Sequence, residues 1–108
     1  MANEFTNAQK VGVTTVQTVY TAAAGKTCIM LELDIANTTS AVVEASVQIF
    51  DTSETTSAYI VKNAPVPAGG SLMVIAGQKI VLEATDIVKV TATGAVDVVA
   101  AILEDVNS

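Results

Sequence analysis

The stretch "TCIMLELDIA", residues Thr27 to Ala36, decides the fold. Apolar residues recur there with a period of two, not 3.6, which is the signature of a strand. The alternation predicts Ile29, Leu31, Leu33 and Ile35 on one face, with Cys28, Met30, Glu32 and Asp34 on the other. The same period extends outward in both directions. Before it, "VGVTTVQTVYT" is a Val- and Thr-rich run, a composition that suits a pleated, half-buried surface. After it, "NTTS" is a turn cluster. Residues 41–50 then alternate again, with Val43, Ala45, Val47 and Ile49 inward and Glu44, Ser46 and Gln48 outward.

Further short strands follow. "DTSETTS" reads as a polar loop, "AYIVKN" as a strand, and "APVPAGG" as a connection, since proline is confined to edges and turns. "SLMVIA" and "KIVLEA" read as two strands flanking Gly77-Gln78, and "DIVKVTA" as another. Thr93-Gly94 makes a turn, and "VDVVAAILE" places Val96, Val98, Ala100 and Ile102 together. About eight short strands punctuated by turn residues, with no sustained helical periodicity, predict an antiparallel β-sandwich, Ig-like or jelly-roll-like. The Cys…Trp…Cys core of a true immunoglobulin domain is absent. "AAAGKTCIMLEL" and "VPAGGSLMVIAG" echo one another, which reads as the same turn chemistry used twice.

The chain of 108 residues is long enough for one domain. Residues 11–105 are expected to form it, with 1–10 as an N-terminal arm, mobile or clamped on a neighbour through Phe5, and 106–108 as a tail. Hydrophobic residues make up 51% and charged residues 15%, and mean hydropathy is +0.54. That much apolar surface is hard to hide in one small domain, which predicts a homo-oligomer or a subunit of a larger assembly. The longest uncharged stretch, Asn63 to Gln78, is interrupted by Pro65, Pro67, Gly69, Gly70 and Gly77, and falls short of the about 20 apolar residues a membrane span needs. No charged n-region precedes an apolar run at the N-terminus, so a soluble protein made in a cytoplasm is expected.

Eleven acidic residues against five lysines give a formal charge of −6, with no Arg, His or Trp. That potential repels nucleic acid, and no basic cluster is present to offset it. A single cysteine, Cys28, excludes an intrachain disulfide.

Motifs for chemistry fall away one by one. "GKT" at Gly25–Thr27 ends like a P-loop, but Tyr20 stands where the first glycine should be, and a strand follows instead of a helix. Gly25 there supplies turn geometry and Lys26 keeps the turn solvated. Without His, neither a Ser-His-Asp nor a Cys-His arrangement is possible, and a zinc site lacks ligands. The carboxylates are scattered along strands and turns. Paired carboxylates are the machinery of glycoside hydrolysis, but two Phe, two Tyr and no Trp make little of a sugar platform. "DTSE" and "EATD" lack the spacing of an EF-hand, which leaves at most an adventitious Ca²⁺ in a loop. No catalytic residue, cofactor or metal site is therefore assigned, and an enzyme is not expected.

Three blocks, "VYTAAAGKTCIMLELDIAN", "YIVKNAPVPAGGSLMVIAGQKIVLEATDIVKVTAT" and "VDVVAAILED", resemble a family of small virion structural proteins of tailed bacteriophages, common among phages of cyanobacteria and other aquatic bacteria. The likeness runs from about Val19 to Leu103, and the segment from Ile60 to Gly70 is its most specific part. It implies a structural role in the particle. A capsid decoration, or cement, protein fits best; such proteins are small β-domains, often trimeric, and an acidic one suits the outside of a shell. The resemblance also admits a neck, tail or fibre-attachment component. A carbohydrate-binding or adhesin-like domain is the competing class. The partners expected are copies of the chain itself and the major capsid protein or other virion proteins, with no nucleic acid, membrane or cofactor. Candidate interface residues are Phe5 and Val11 on the arm, and Pro65, Val66 and Pro67 on the "APVPAGG" loop, whose prolines lower the entropy lost on docking.

Overall fold

The computed structural model describes residues 4–105, apart from the side chains at 77 and 78, and shows eight strands and no helix among them. They are β1 (Glu4–Val13), β2 (Gln17–Thr21), β3 (Cys28–Asn37), β4 (Val43–Asp51), β5 (Thr56–Val66), β6 (Ser71–Leu82), β7 (Ile87–Ala92) and β8 (Val96–Glu104). One four-stranded sheet has the order β1-β8-β3-β6 and the other β2-β7-β4-β5. Every pairing is antiparallel. The first strand pairs with the last, the second with the seventh, the third with the sixth and the fourth with the fifth. This is a long double ribbon rolled so that its two sheets face each other, which is the jelly-roll order. Of the two sandwich types expected, the strand order selects this one.

The expected elements are redrawn in several places, β5 among them, which takes in Thr56 and Ser57 of the expected loop and residues 64–66 of the expected connection. "VGVTTVQTVYT" is not one strand: it spans the end of β1 and all of β2, which lie in different sheets. "SLMVIA" and "KIVLEA" are one continuous strand, β6, carrying an irregularity opposite Met30 and Glu32. Residues 4–10, expected as an arm outside the domain, are the greater part of β1, paired with β8 from Glu4↔Glu104 to Lys10↔Val98. The expected tail, 106–108, lies outside the described residues.

The quoted stretch keeps its period but not its phase. Cys28 and Met30 are buried, and so are Leu33, Ile35 and Asn37. The switch falls at Leu31. Met30 pairs with Ile102 and Glu32 with Ala101, so β3 carries one residue more than β8 there. A one-residue bulge flips every later side chain to the opposite face. Cys28 and Met30 therefore point inward, against the sequence expectation, while Ile29 and Leu31 lie on the outer, half-buried side.

In β4 the inward set is confirmed for Val43, Ala45 and Val47, but Ser46 is buried as well, at 5% exposure. Its hydroxyl accepts from the Asn63 amide at 2.9 Å, where β5 bulges with φ of 54° at Asn63. Val96, Val98, Ala100 and Ile102 line the core from β8 as expected. The core is aliphatic; its largest fully buried side chains include Met30, Leu33, Ile35, Ile75, Leu82 and Ile102.

Each end of the sandwich is closed by polar bonds. At one end, buried Asn37 donates to the carbonyls of Ala41 (2.7 Å), Val66 (3.0 Å) and Pro67 (3.1 Å). Its own carbonyl accepts from the Thr39 amide and hydroxyl at 2.9 and 2.7 Å. Gly94 packs so closely there that a Cβ on it would sit 2.6 Å from Val43 Cγ1. At the other end, the Ala22 amide donates to the Asp86 carbonyl and the Thr85 amide to the Ala22 carbonyl, both at 2.9 Å.

Candidate assembly interface

The outer faces of the two sheets differ in chemistry. Register places Phe5, Leu103, Ile29 and Val81 in one row straight across β1, β8, β3 and β6. Opposed residues of an antiparallel pair point to the same side, and Ile29 alternates with buried Cys28 and Met30, so this row faces outward. Phe5 is 78% exposed and Val81 61%. A second outward row four residues along β1 and β8, Gln9, Val99, Asp34 and Met73, adds exposed Val99 and Met73 to the same face. The corresponding row across β2, β7, β4 and β5 is Thr18, Lys89, Gln48 and Tyr59. The outer side of that second sheet mixes polar groups with Tyr59, Phe50 and Ile87, and lysines cover its rings: Lys89 lies over Phe50 at 5.0 Å and Lys62 over Tyr59 at 5.2 Å.

An apolar surface spread over four strands departs from the single scattered side chains normal on a monomer. Two carboxylates sit within it. Glu32 is held above the usual carboxylate range, first by its hydrogen bond to Asp34 and then by that neighbour's charge. Asp34 Oδ1 is itself buried without a hydrogen-bond partner.

Four of the five candidate interface residues are on the surface and one is not. Phe5 lies on the apolar face. Val11 is 77% exposed at the irregularity of β1 between Lys10 and Val13, away from that row. Pro65 lies exposed on β5, an edge strand, as its missing N–H requires. Pro67 opens the turn in which the Gly70 amide donates to the Pro67 carbonyl at 2.9 Å. Val66 is a correction: it is fully buried as the last residue of β5, so no partner reaches its side chain. The "APVPAGG" connection thus shrinks to the residues after Val66. Leu103, Ile29, Val81, Met73 and Val99 were not singled out from sequence. Their signal was present only as the outward half of each alternation, and β3's bulge hid it for Ile29.

"GKT" lies in the connection between β2 and β3, with Gly25 at φ of 77° and exposed Lys26. Strand β3 follows it, so no helix N-terminus is available to hold phosphate. Cys28 is buried under Tyr20, whose hydroxyl lies 3.4 Å from Sγ and also donates to Glu104. The phenol is raised well above its ordinary value of 10.0, by burial first, then by the bonds to Cys28 and Glu104. "DTSE" and "EATD", separate in sequence, meet at one end of the sandwich, where Thr52 Oγ1 donates to the Thr85 carbonyl at 2.6 Å. Among the described residues, no helix is long and apolar enough to cross a membrane.

No family model matches the chain, and no curated protein matches it by sequence. Solved structures do match by shape. A protein from Bacillus endospore appendages, which form a family of disulfide-linked pili, aligns with TM-score 0.56 at 14% identity, over 99% of this chain and 88% of that one. A chain of the T13 IBDV viral particle, from an icosahedral virus, aligns with TM-score 0.51 at 11% identity over 95% of this chain. This chain spans only 35% of the viral one. At such identities the likeness is one of fold: the rolled antiparallel sandwich seen here is also the fold of a pilus protein and of part of a virus-particle protein.

Proposed function

We propose that the chain is a non-enzymatic structural subunit of a tailed-bacteriophage particle, and that it decorates the outer capsid shell. The observation that carries this is the apolar row Phe5–Leu103–Ile29–Val81, a surface built to be covered by another subunit. Three further points support it. The fold is shared with proteins of two assembled particles, a pilus and a virus. The sequence blocks resemble virion structural proteins of tailed phages. The charge of −6 suits an outer surface away from packaged DNA.

The mechanism is mass action. A subunit that binds the assembled lattice and not free capsid protein stabilises the lattice by its binding free energy. Copies of the chain pair or trimerise through the apolar face and present their loops to the major capsid protein. Pro67 and its neighbours, already held by Asn37, dock with little further entropy loss.

A second reading has one observation of its own. The spore-appendage protein, whose length this chain nearly matches, builds a filament, which favours a neck, tail or fibre-attachment component. Disulfide linkage like that of those pili does not transfer, because Cys28 is the single cysteine and is buried.

Quantifying the protein in purified virions separates the readings. Shell decoration requires on the order of hundreds of copies per particle, whereas a neck or tail ring has about 6 or 12. Absence from the particle overturns both.

A further inference from the structure

We infer that Asp51, Glu83 and Asp86 form a calcium site at the end of the sandwich where the β4–β5 and β6–β7 connections meet. One carboxylate oxygen from each of the three lies within 4.8 Å of the others. Ca²⁺ binds oxygen at about 2.3–2.6 Å, so oxygens on opposite sides of one ion are up to about 5 Å apart. The spread is that of a single coordination sphere.

The cluster alone would be an acidic surface. What sets it apart is Asp86. Its side chain is 95% removed from solvent, with 5% exposure, and its Oδ1 is buried without any hydrogen-bond partner. A buried, unpaired carboxylate oxygen beside two more carboxylates is strongly unfavourable unless a cation meets it. Its other oxygen, Oδ2, accepts from the Glu83 amide at 3.0 Å, which fixes the carboxylate toward the cluster. Asp51 is arranged alike. Its Oδ1 accepts from the Ser53 hydroxyl (2.8 Å), the Ser53 amide (3.1 Å) and the Glu54 amide (3.2 Å), leaving Oδ2 for a ligand. These bonds, the Ser53 hydroxyl's first, hold Asp51 below the usual carboxylate range.

The donor set is all oxygen, which selects a hard cation. The site is graded from buried Asp86 through half-buried Asp51 to exposed Glu83, so an ion enters from solvent and keeps several waters. Flexible, irregular coordination with waters suits Ca²⁺ better than Mg²⁺, which demands near-ideal octahedral geometry. With three carboxylates and an open side, the expected Kd is about 10⁻⁴–10⁻³ M, in the range of extracellular modules. The ion would lock the two connections to each other, reinforcing the bond from Thr52 to the Thr85 carbonyl.

The test is calorimetric melting of the full chain in EDTA, CaCl₂, MgCl₂ and NaCl at matched ionic strength, with isothermal titration of CaCl₂. Calcium at ten times its Kd should raise the midpoint by roughly 5–10 °C, and magnesium by clearly less. Glu83→Gln removes an exposed ligand that has no side-chain hydrogen bond of its own, so the fold is kept. It should lower calcium affinity about tenfold, and Asp86→Asn should abolish the response. A wild-type midpoint unmoved by 10 mM calcium, an equal response to magnesium, or an undiminished response in Glu83→Gln would overturn the assignment.

Discussion

Asn37 shows how one side chain closes an end of this fold. From sequence it was the first residue of a turn cluster. In the structure it is the last residue of β3, and its amide ties the β3–β4 connection to the strand end at Val66 and Pro67. Asn37→Ala leaves three carbonyls and the Thr39 amide without that partner. The expected loss is about 2–3 kcal/mol, seen as a lower urea midpoint with unchanged m-value. An unchanged midpoint would show that water replaces the network at no cost. Tyr20 gives a residue-scale prediction in pH. The neutral phenol is held in the fold, while the unfolded phenol ionises near 10.0. Stability is therefore fully present below pH 10 and is lost as pH rises above it, because the unfolded chain releases a proton that the folded chain keeps. The urea midpoint should fall between pH 9 and pH 11, and Tyr20→Phe should flatten that fall. Parallel decline in both proteins would exclude Tyr20 as the cause. Gly94, read from sequence as half of a turn, is required for a different reason, the close approach of Val43.

At the scale of elements, bulges separate the sequence reading from the structure. Periodicity identified strands because a strand's burial alternates whatever its partner. It lost the phase at Leu31 because a bulge is a property of the pair, set by how β3 and β8 are aligned. Ser46 keeps its outward place between inward Ala45 and Val47, but the bulge of β5 at Asn63 covers it, which no period in β4 could show. The residues before Val11 had no apolar period and so read as an arm. An edge strand with one solvated side and few buried side chains has little period to show, and β1 is exposed over most of its length. Removing residues 1–10 should therefore act on the domain itself. It strips β8 of one of its two partners, leaving only β3, bares one edge of the β8 backbone and removes partly buried Ala8 from the core margin. The truncated chain should melt lower and aggregate through the bared edge. A melting temperature equal to that of the full chain would restore the arm.

At the scale of the whole molecule, the asymmetry between outer faces matters most. A chain with 51% hydrophobic residues fills its core and has apolar surface left, and the roll gathers that remainder on the β1-β8-β3-β6 face. Phe5→Glu puts a charge on a side chain 78% exposed, so it should leave the melting temperature of the isolated subunit within about 1 °C. It should also shift the chain toward monomer in light scattering. Assembly that survives both Phe5→Glu and Val81→Glu would move the interface elsewhere. Composition and period by themselves determined that this protein is all-β, made of about eight short antiparallel strands, has no histidine for a Ser-His-Asp or Cys-His arrangement, and carries more apolar residues than one small core readily hides. Those properties are local or additive, so they can be summed along a chain. Tertiary structure alone decided the jelly-roll order, the phase of each strand after its bulge, and the burial of Val66. It alone brought Phe5 beside Leu103 and Asp51 beside Asp86, because these depend on which distant segments the roll brings into register.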